Sequence, residues 1–418
     1  MILRDTTIKN LVISKCLACG GGNLKQVLDF GTQPLANSFV TTPQELPKSQ
    51  LVINLCEDCT HCQLSEAVEP ELLYRDYKYV SGTTDTLRKH FADLVKYCKE
   101  FFPHKNMNIL DIGCNDGSLL DQFAKSGYSV FGIDPAINLR KITEQKGIPV
   151  IVDFWSEKLS RSVKEKFSVI CILNCLAHNP NPHDFLKGCI NVLDEGGIIL
   201  TEFPYFKNTL ILNDLGQFYA EHHSYFSIRS LMALTDRLGL SIVAFLEFME
   251  IHGGTVRFIL KKEPHKILRE FSKLRGGELI KDNLLRFART LNKQLSALTQ
   301  TLIKLNHSGY NIVAYGASAK ASTLFNLPQM RGVSPMIKYV VDDNRLKWNL
   351  LCPGSNLEIK QPESLLKETE DRLAILMTVH NFKTEIINRL KQFGLTKALI
   401  VNYTPRVFVE TLDGTIIS

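Results

Sequence analysis

The chain has 418 residues, with 49 Lys and Arg against 43 Asp and Glu, a net charge of +6, and eleven cysteines. That length predicts two to three domains with proper cores, and a hydrophobic content of 44% excludes a disordered chain. The small positive excess has no basic stripe or stacking motif with it, which speaks against nucleic-acid binding, and no stretch approaches a membrane span. The opening residues MILRDTTIKN lack a signal-peptide pattern, so a cytoplasmic protein is expected. Cysteines in that compartment point to metal or free thiols rather than disulfides.

Residues 1–80 read as a cysteine module. Cys16-Leu-Ala-Cys19 and Cys56-Glu-Asp-Cys59 are two CxxC pairs, and two such pairs complete a tetrahedral zinc site. His61 and Cys62 follow at once and compete as ligands; the standard spacing favours Cys59 over Cys62. Four thiolates leave no open position on the metal, so the expected zinc is structural. Between the pairs, residues 29–38 read as a turn feeding an extended segment, with no chemistry of their own. The tyrosine- and hydroxyl-rich stretch 74–83 reads as a lid or wall that contributes Tyr79 to a pocket.

Residues 107–135 organise the rest. An apolar run ends in Asp111-x-Gly113-x-Asn115-x-Gly117, an amphipathic helix follows, and a second apolar run stops at Asp134. The glycine loop admits a ligand to the backbone, and the acid after the second strand can take both hydroxyls of a ribose. A dinucleotide site wants G-x-G-x-x-G. Here the loop opens with a carboxylate, which repels a pyrophosphate and attracts a sulfonium with its amino group. The expected cofactor is therefore S-adenosylmethionine.

A helix over 87–101 precedes this stretch. Apolar runs at 150–152, 168–173 and 197–200 continue an alternating α/β plan with a mostly parallel sheet. Ligands bind at the carboxyl ends of such strands, which places Asp153 and Phe154 by the adenine, and Asn174 and His178 nearby. The densest polar cluster is Tyr219-Ala-Glu221-His222-His223-Ser-Tyr225, before a helix capped by Ser227. Glu221 beside His222 offers a carboxylate to orient an imidazole base. A strand over 241–250 leads to His252-Gly-Gly254 and to Arg257, a phosphate contact in this reading.

Residues 262–306 are charged and helical in pattern, and are read as one or two connecting helices. A small Rossmann-like unit follows, with strands at 311–315, 337–341, 373–379 and 398–403. Its first strand ends at Tyr315, and Gly316-Ala-Ser-Ala-Lys320 opens a helix suited to a phosphate, with Lys320 as counter-charge. His380-Asn381-Phe382 closes another strand on the same cleft. The absence of G-x-G-x-x-G argues against a nicotinamide cofactor.

The chain resembles the three-domain sugar C-methyltransferases of deoxysugar biosynthesis along essentially its whole length. The resemblance rests on both CxxC pairs, Gln33-Pro-Leu-Ala-Asn37, Gln63-Leu64, Asn115-Asp-Gly-Ser-Leu-Leu120, Tyr219-x-Glu221-His222-x-x-Tyr225-Phe-Ser227 and His252-Gly-Gly254. It implies a zinc module (1–80), a class I methyltransferase domain that binds S-adenosylmethionine (81–260), a helical connection (261–308) and a Rossmann-like sugar-nucleotide domain (309–418). It also implies zinc on Cys16, Cys19, Cys56 and Cys59, and Glu221–His222 as a base unit. Tyr219, His178 and Tyr79 should line the sugar, with Tyr225, His252, Arg257, Tyr315, Lys320 and Asn381 as further substrate contacts. His223 and Cys62 are extra polar neighbours of motif positions, and the family usually has an aromatic where His380 stands. The expected reaction is methylation of carbon 3 (or carbon 5) of a nucleotide-linked 4-keto-6-deoxyhexose, in a monomer or small homo-oligomer. Alternatives are an O- or N-methyltransferase on a small acceptor, or a non-catalytic sugar-nucleotide binder.

Overall fold

A computed structural model describes residues 10–101, 107–251, 253–262 and 279–417. The cysteine module is an antiparallel sheet of Leu24–Pro34, Lys48–Cys56 and Cys62–Leu64. Its fourth strand, Ser224–Tyr225, arrives from the middle of the chain and pairs with Cys62 and Gln63. The motif that carries Glu221 and His222 is thus anchored on the module by the next residues along.

Helix Asp85–Phe101 leads into the central sheet. Its seven strands are β1 (Asn108–Ile112), β2 (Ser129–Ile133), β3 (Val150–Ile151), β4 (Phe167–Leu173), β5 (Leu193–Pro204), β6 (Ser241–Phe248) and β7 (Thr255–Lys261). Their order in space is β3-β2-β1-β4-β5-β7-β6, with β7 antiparallel to both neighbours. This is the class I methyltransferase fold. β4 over residues 169–172 and β5 over residues 197–203 are covered on both faces, which is why residues 169–172 and 198–200 read as apolar runs rather than alternating ones. β5 starts and ends beyond the expected 197–200, and β6 stops at Phe248. Chain direction across the sheet reverses between β1 and β4, and the crevice at their carboxyl ends is where such sheets bind ligands.

The long helix Ile280–His307 buries Leu284, Phe287, Leu295, Leu298 and Leu302 along one stripe. The rest of the expected connecting segment, residues 263–278, lies outside the described residues. The C-terminal sheet runs Ile359–Lys360, Ile337–Val341, Asn311–Tyr315, Leu373–Met377, Leu399–Asn402, Phe408–Thr411, all parallel except the last. It reverses direction beside Asn311–Tyr315, so it opens a second crevice.

One apolar core joins the units. Phe218 packs on Phe30 of the cysteine module at 5.1 Å, on Tyr225 at 4.9 Å and on Phe287 of the long helix at 5.4 Å. Burial of this kind, worth roughly 25 cal/mol per Å² of apolar surface, brings the two crevices onto one cavity. No helix among the described residues is long and apolar enough to cross a membrane.

Candidate active site

A cavity of about 610 Å³ runs from the carboxyl ends of β1, β2 and β4 to the start of the C-terminal sheet's first helix. At one end stand three acids. Asp134 accepts from the amides of Asn115 and Ala136, both at 2.8 Å. Asp111 is buried and meets no protein donor among the described residues. Burial, then the charges of Asp134 and Asp116, push its carboxyl up to about 8. Such a wall suits a cation and a diol, the two polar ends of S-adenosylmethionine. Gly113 takes φ +80 with its open side on Cys175, where a Cβ would lie 3.0 Å from the thiol. Asp153 and Phe154 line the same end, with the Arg75 guanidinium 4.6 Å above the Phe154 ring.

The acid wall has a thermodynamic signature. Asp111 holds its proton in the fold up to about pH 8, against an unfolded value near 3.9. Unfolding therefore releases a proton between those values, and stability falls as pH rises through that window, then levels off. Asp111→Asn removes the titration. The cofactor-free variant should gain about 1–3 kcal/mol over wild type at pH 8–9, less at pH 5, and bind S-adenosylmethionine more weakly. Urea midpoints at the two pH values check the sign.

The middle of the cavity is aromatic. Tyr74, Tyr77 and Tyr79 form a row with ring centroids 5.6 and 6.2 Å apart. Opposite lie His178, Tyr219 and His222, the two imidazoles edge to face at 4.7 Å. The Nδ1 of His222 is 2.7 Å from the carbonyl oxygen of Gln217, and its Nε2 is 2.7 Å from the hydroxyl of Tyr219. A carbonyl only accepts, so the Nδ1 carries the proton and the lone pair sits on Nε2. Burial, then His178, hold this imidazole well below its ordinary value, so it is neutral at physiological pH. Tyr219, pushed well up by burial and by Tyr77, keeps its O–H.

Several expected contacts stand elsewhere. Glu221 does not orient His222. Its carboxyl turns to the cysteine module and accepts from Asn37 at 2.7 Å, while Oε1 has no partner. Burial pushes it up to about 8. Arg257 lies off the cavity: it is the cross-strand partner of Glu202 on β5, bonds its carboxylate, and stacks on Phe248 at 4.8 Å. Its guanidinium, buried off the cavity against that carboxylate, is not placed to meet a phosphate. Tyr225 is packed among Phe206 and Phe218, not on the wall. Gly117 starts the helix Ser118–Lys125 at φ +73, closed in by Ile148 and Thr143, and touches no ligand space. Asn115 lines the cavity, but its amide is spent on the Tyr79 carbonyl and the Ser81 amide. Lys320 lines it too, paired with Asp214 at 3.0 Å. His252 lies outside the described residues, and His380 faces Asp214 while Asn381 and Phe382 reach the wall.

Tyr79, Tyr315, Asn174, Glu221, His178 and Asn381 all lie on the wall. Sequence reading missed Asn37, Tyr74, Gln217 and Lys347, which lie there as well. Tyr74 contacts His178 Nδ1 at 3.3 Å and donates toward the Glu221 carbonyl at 3.3 Å. Its stretch was singled out for Tyr79 alone. His223 does not line the cavity; its Nδ1 lies 2.9 Å from the His178 carbonyl.

Away from the cavity, the sulfurs of Cys16, Cys19, Cys56 and Cys59 lie within 4.8 Å of one another, with Cys16–Cys59 at 3.5 Å and Cys19–Cys56 at 3.6 Å. A tetrahedron with Zn–S bonds of ~2.3 Å has edges of about 3.8 Å, so the four thiols fit zinc. His61 and Cys62 stand outside the cluster; His61 lies 3.2 Å from the Ser224 hydroxyl.

Comparison with known proteins agrees with this geometry. A zinc binding domain model matches residues 16–74, a methyltransferase domain model residues 86–244, and a C-methyltransferase C-terminal domain model residues 250–405. The chain is similar to C-methyltransferase NovU of Streptomyces niveus, 25% identical over 91% of this chain and 93% of that protein. It is 31% identical to the ubiquinone biosynthesis O-methyltransferase of Glaesserella parasuis, over 22% of this chain and 42% of that protein. Among solved structures, an S-adenosylmethionine-dependent methyltransferase from Clostridium acetobutylicum matches at 14% identity, TM-score 0.34, over 42% of this chain and 91% of that one. The three matched segments follow one another through nearly the whole chain, and with a relative named for C-methylation matched along its length they support a zinc-containing, S-adenosylmethionine-dependent C-methyltransferase.

Proposed function

We propose that the acceptor is a nucleotide-linked 4-keto-6-deoxyhexose, methylated on the carbon beside the ketone, with carbon 3 favoured. The observation that carries this reading is the fixed tautomer of His222, whose Nε2 lone pair opens on the cavity next to the Tyr219 hydroxyl. Carbon is a poor nucleophile until a neighbouring C–H is opened, and a ketone makes that hydrogen acidic by taking the charge onto oxygen. The α hydrogen and the ketone oxygen sit on adjacent carbons, and a base and a hydroxyl donor 2.7 Å apart match that pair. His222 Nε2 takes the proton, and the Tyr219 O–H turns from the imidazole to the developing oxyanion. His178, fixed by Tyr74, closes the same wall. Bound S-adenosylmethionine supplies a methyl group made electrophilic by its sulfonium. Asp111, Asp134 and Asn174, with the backbone at Gly113 and Asn115, would hold it, and Asp153 and Phe154 would meet the adenine. Tyr315 and Asn381 would receive the nucleotide half, with the Asp214-paired Lys320 beside them on the wall.

Incubation with TDP- and GDP-linked 4-keto-6-deoxyhexoses in D₂O tests the proposal. Deuterium should enter the carbon beside the ketone, and labelled methyl should follow onto the same carbon when S-adenosylmethionine is added. Methyl transfer to oxygen or nitrogen, with no exchange at carbon, would refute it.

A further inference from the structure

Two features have no place in the chemistry above: Gly253 of the glycine pair and the buried acid Asp214. They meet. Asp214 is fully buried, a few residues before the catalytic loop, and its Oδ1 accepts from the Gly216 amide at 3.1 Å. Its Oδ2 accepts from the Gln217 side-chain amide at 2.9 Å and from Lys320 Nζ at 3.0 Å, with His380 Nε2 at 3.4 Å. An unpaired carboxylate at this depth would be costly, and here two donors bond one oxygen with the His380 ring beside them.

The glycines keep the space clear. A Cβ on Gly253, which sits at φ +82, would lie 2.8 Å from Asp214 Oδ2 and 3.2 Å from the Gln217 amide nitrogen. A Cβ on Gly216 would strike the aliphatic stem of Lys320 at 2.9 Å. Two turns are therefore cut back to let the carboxylate, the amide and the lysine close up. Gln217 is held at both ends, its side chain by Asp214 and its carbonyl by His222 Nδ1–H at 2.7 Å. Lys320 and His380 belong to the C-terminal unit, so the clamp spans the two crevices.

Resting on the reading of His222 as the base, we infer that Asp214 is a positioning residue for it. Asp214 fixes Gln217, the Gln217 carbonyl fixes the orientation and tautomer of the imidazole, and Lys320 and His380 of the C-terminal unit hold Asp214 in place.

The test uses the full-length zinc-loaded protein. Asp214→Asn should slow both α-proton exchange of the TDP- or GDP-linked ketosugar in D₂O and kcat by about 10–100-fold, with KM for S-adenosylmethionine within about twofold. Gln217→Leu leaves Asp214 paired with Lys320 and should show the same split, so it decides the matter if Asp214→Asn fails to fold. Asp214→Glu should recover part of the exchange rate, which a merely structural loss would not. Wild-type exchange in folded Asp214→Asn and Gln217→Leu, with His222→Ala inactive, would overturn this inference alone. Wild-type exchange in His222→Ala would remove the reading beneath it.

Discussion

Replacing His222 by alanine should abolish α-proton exchange and methyl transfer together, by about 10²–10⁴-fold each, while S-adenosylmethionine still binds. The loss should be joint because removal of the proton precedes attack by carbon, so a protein that cannot open the C–H bond has no nucleophile to offer. Asp111 and Asp134, the acids proposed for the cofactor, lie at the other end of the cavity and should not register the change. Glu221→Gln gives the contrast. Glu221 touches Asn37 rather than His222, and burial pushes its carboxyl up to about 8, so at neutral pH it is largely protonated and an amide resembles it. Its Gln variant should keep exchange within a few-fold of wild type. Mass spectrometry of substrate recovered from D₂O reads both variants in one experiment. An inactive Glu221→Gln beside an active His222→Ala would move the base to the carboxyl, whose Oε1 has no partner, and would sink the histidine mechanism.

Why sequence placed Glu221 wrongly is instructive. The two residues are adjacent, and adjacency invites pairing. The chain turns there, with the His222 amide bonded back to the Tyr219 carbonyl at 3.0 Å, so the side chains leave in different directions. The Asn37 partner stands 184 positions away on another unit, and no local pattern encodes that. Arg257 fails for a similar reason. Its strand, Thr255–Lys261, was not read beyond the glycine turn, and its register opposite Glu202 decides whether the guanidinium reaches a ligand or a cross-strand carboxylate. Lys320 sits at the expected helix start, yet its counter-ion Asp214 comes from a different unit. What was legible was local. The CxxC spacing bends two thiols around one point, and the run from Asp111 to Asp134 encodes strand, loop, helix and strand within one stretch. Gly253-Gly254 was legible as a close approach, though not what approaches.

Stripping the zinc should abolish activity although the metal lies outside the cavity. Four thiolates leave it no open position, so it acts through the fold. Apparent zinc affinities of about 10–16 kcal/mol in small domains rival the whole stability of a typical domain, and chelation should unfold the cysteine module. That module contributes three things to the site. Cys62 and Gln63 pair with Ser224–Tyr225 just beyond the loop of Tyr219 and His222, Asn37 holds the Glu221 carboxyl, and Tyr74, just beyond the module's strands, holds His178. Cys16→Ser or Cys56→Ser should therefore lower zinc from about one ion per chain and shift the melting curve down. Methyl transfer should fall at least a hundredfold, in step with lost β-sheet signal, and return when zinc is restored to chelated wild type. The methyltransferase sheet contains no strand of the module, so cofactor affinity should suffer less than turnover. A zinc-free variant that keeps its fold and its affinity for S-adenosylmethionine yet turns over nothing would place the metal in the chemistry itself and overturn the structural role.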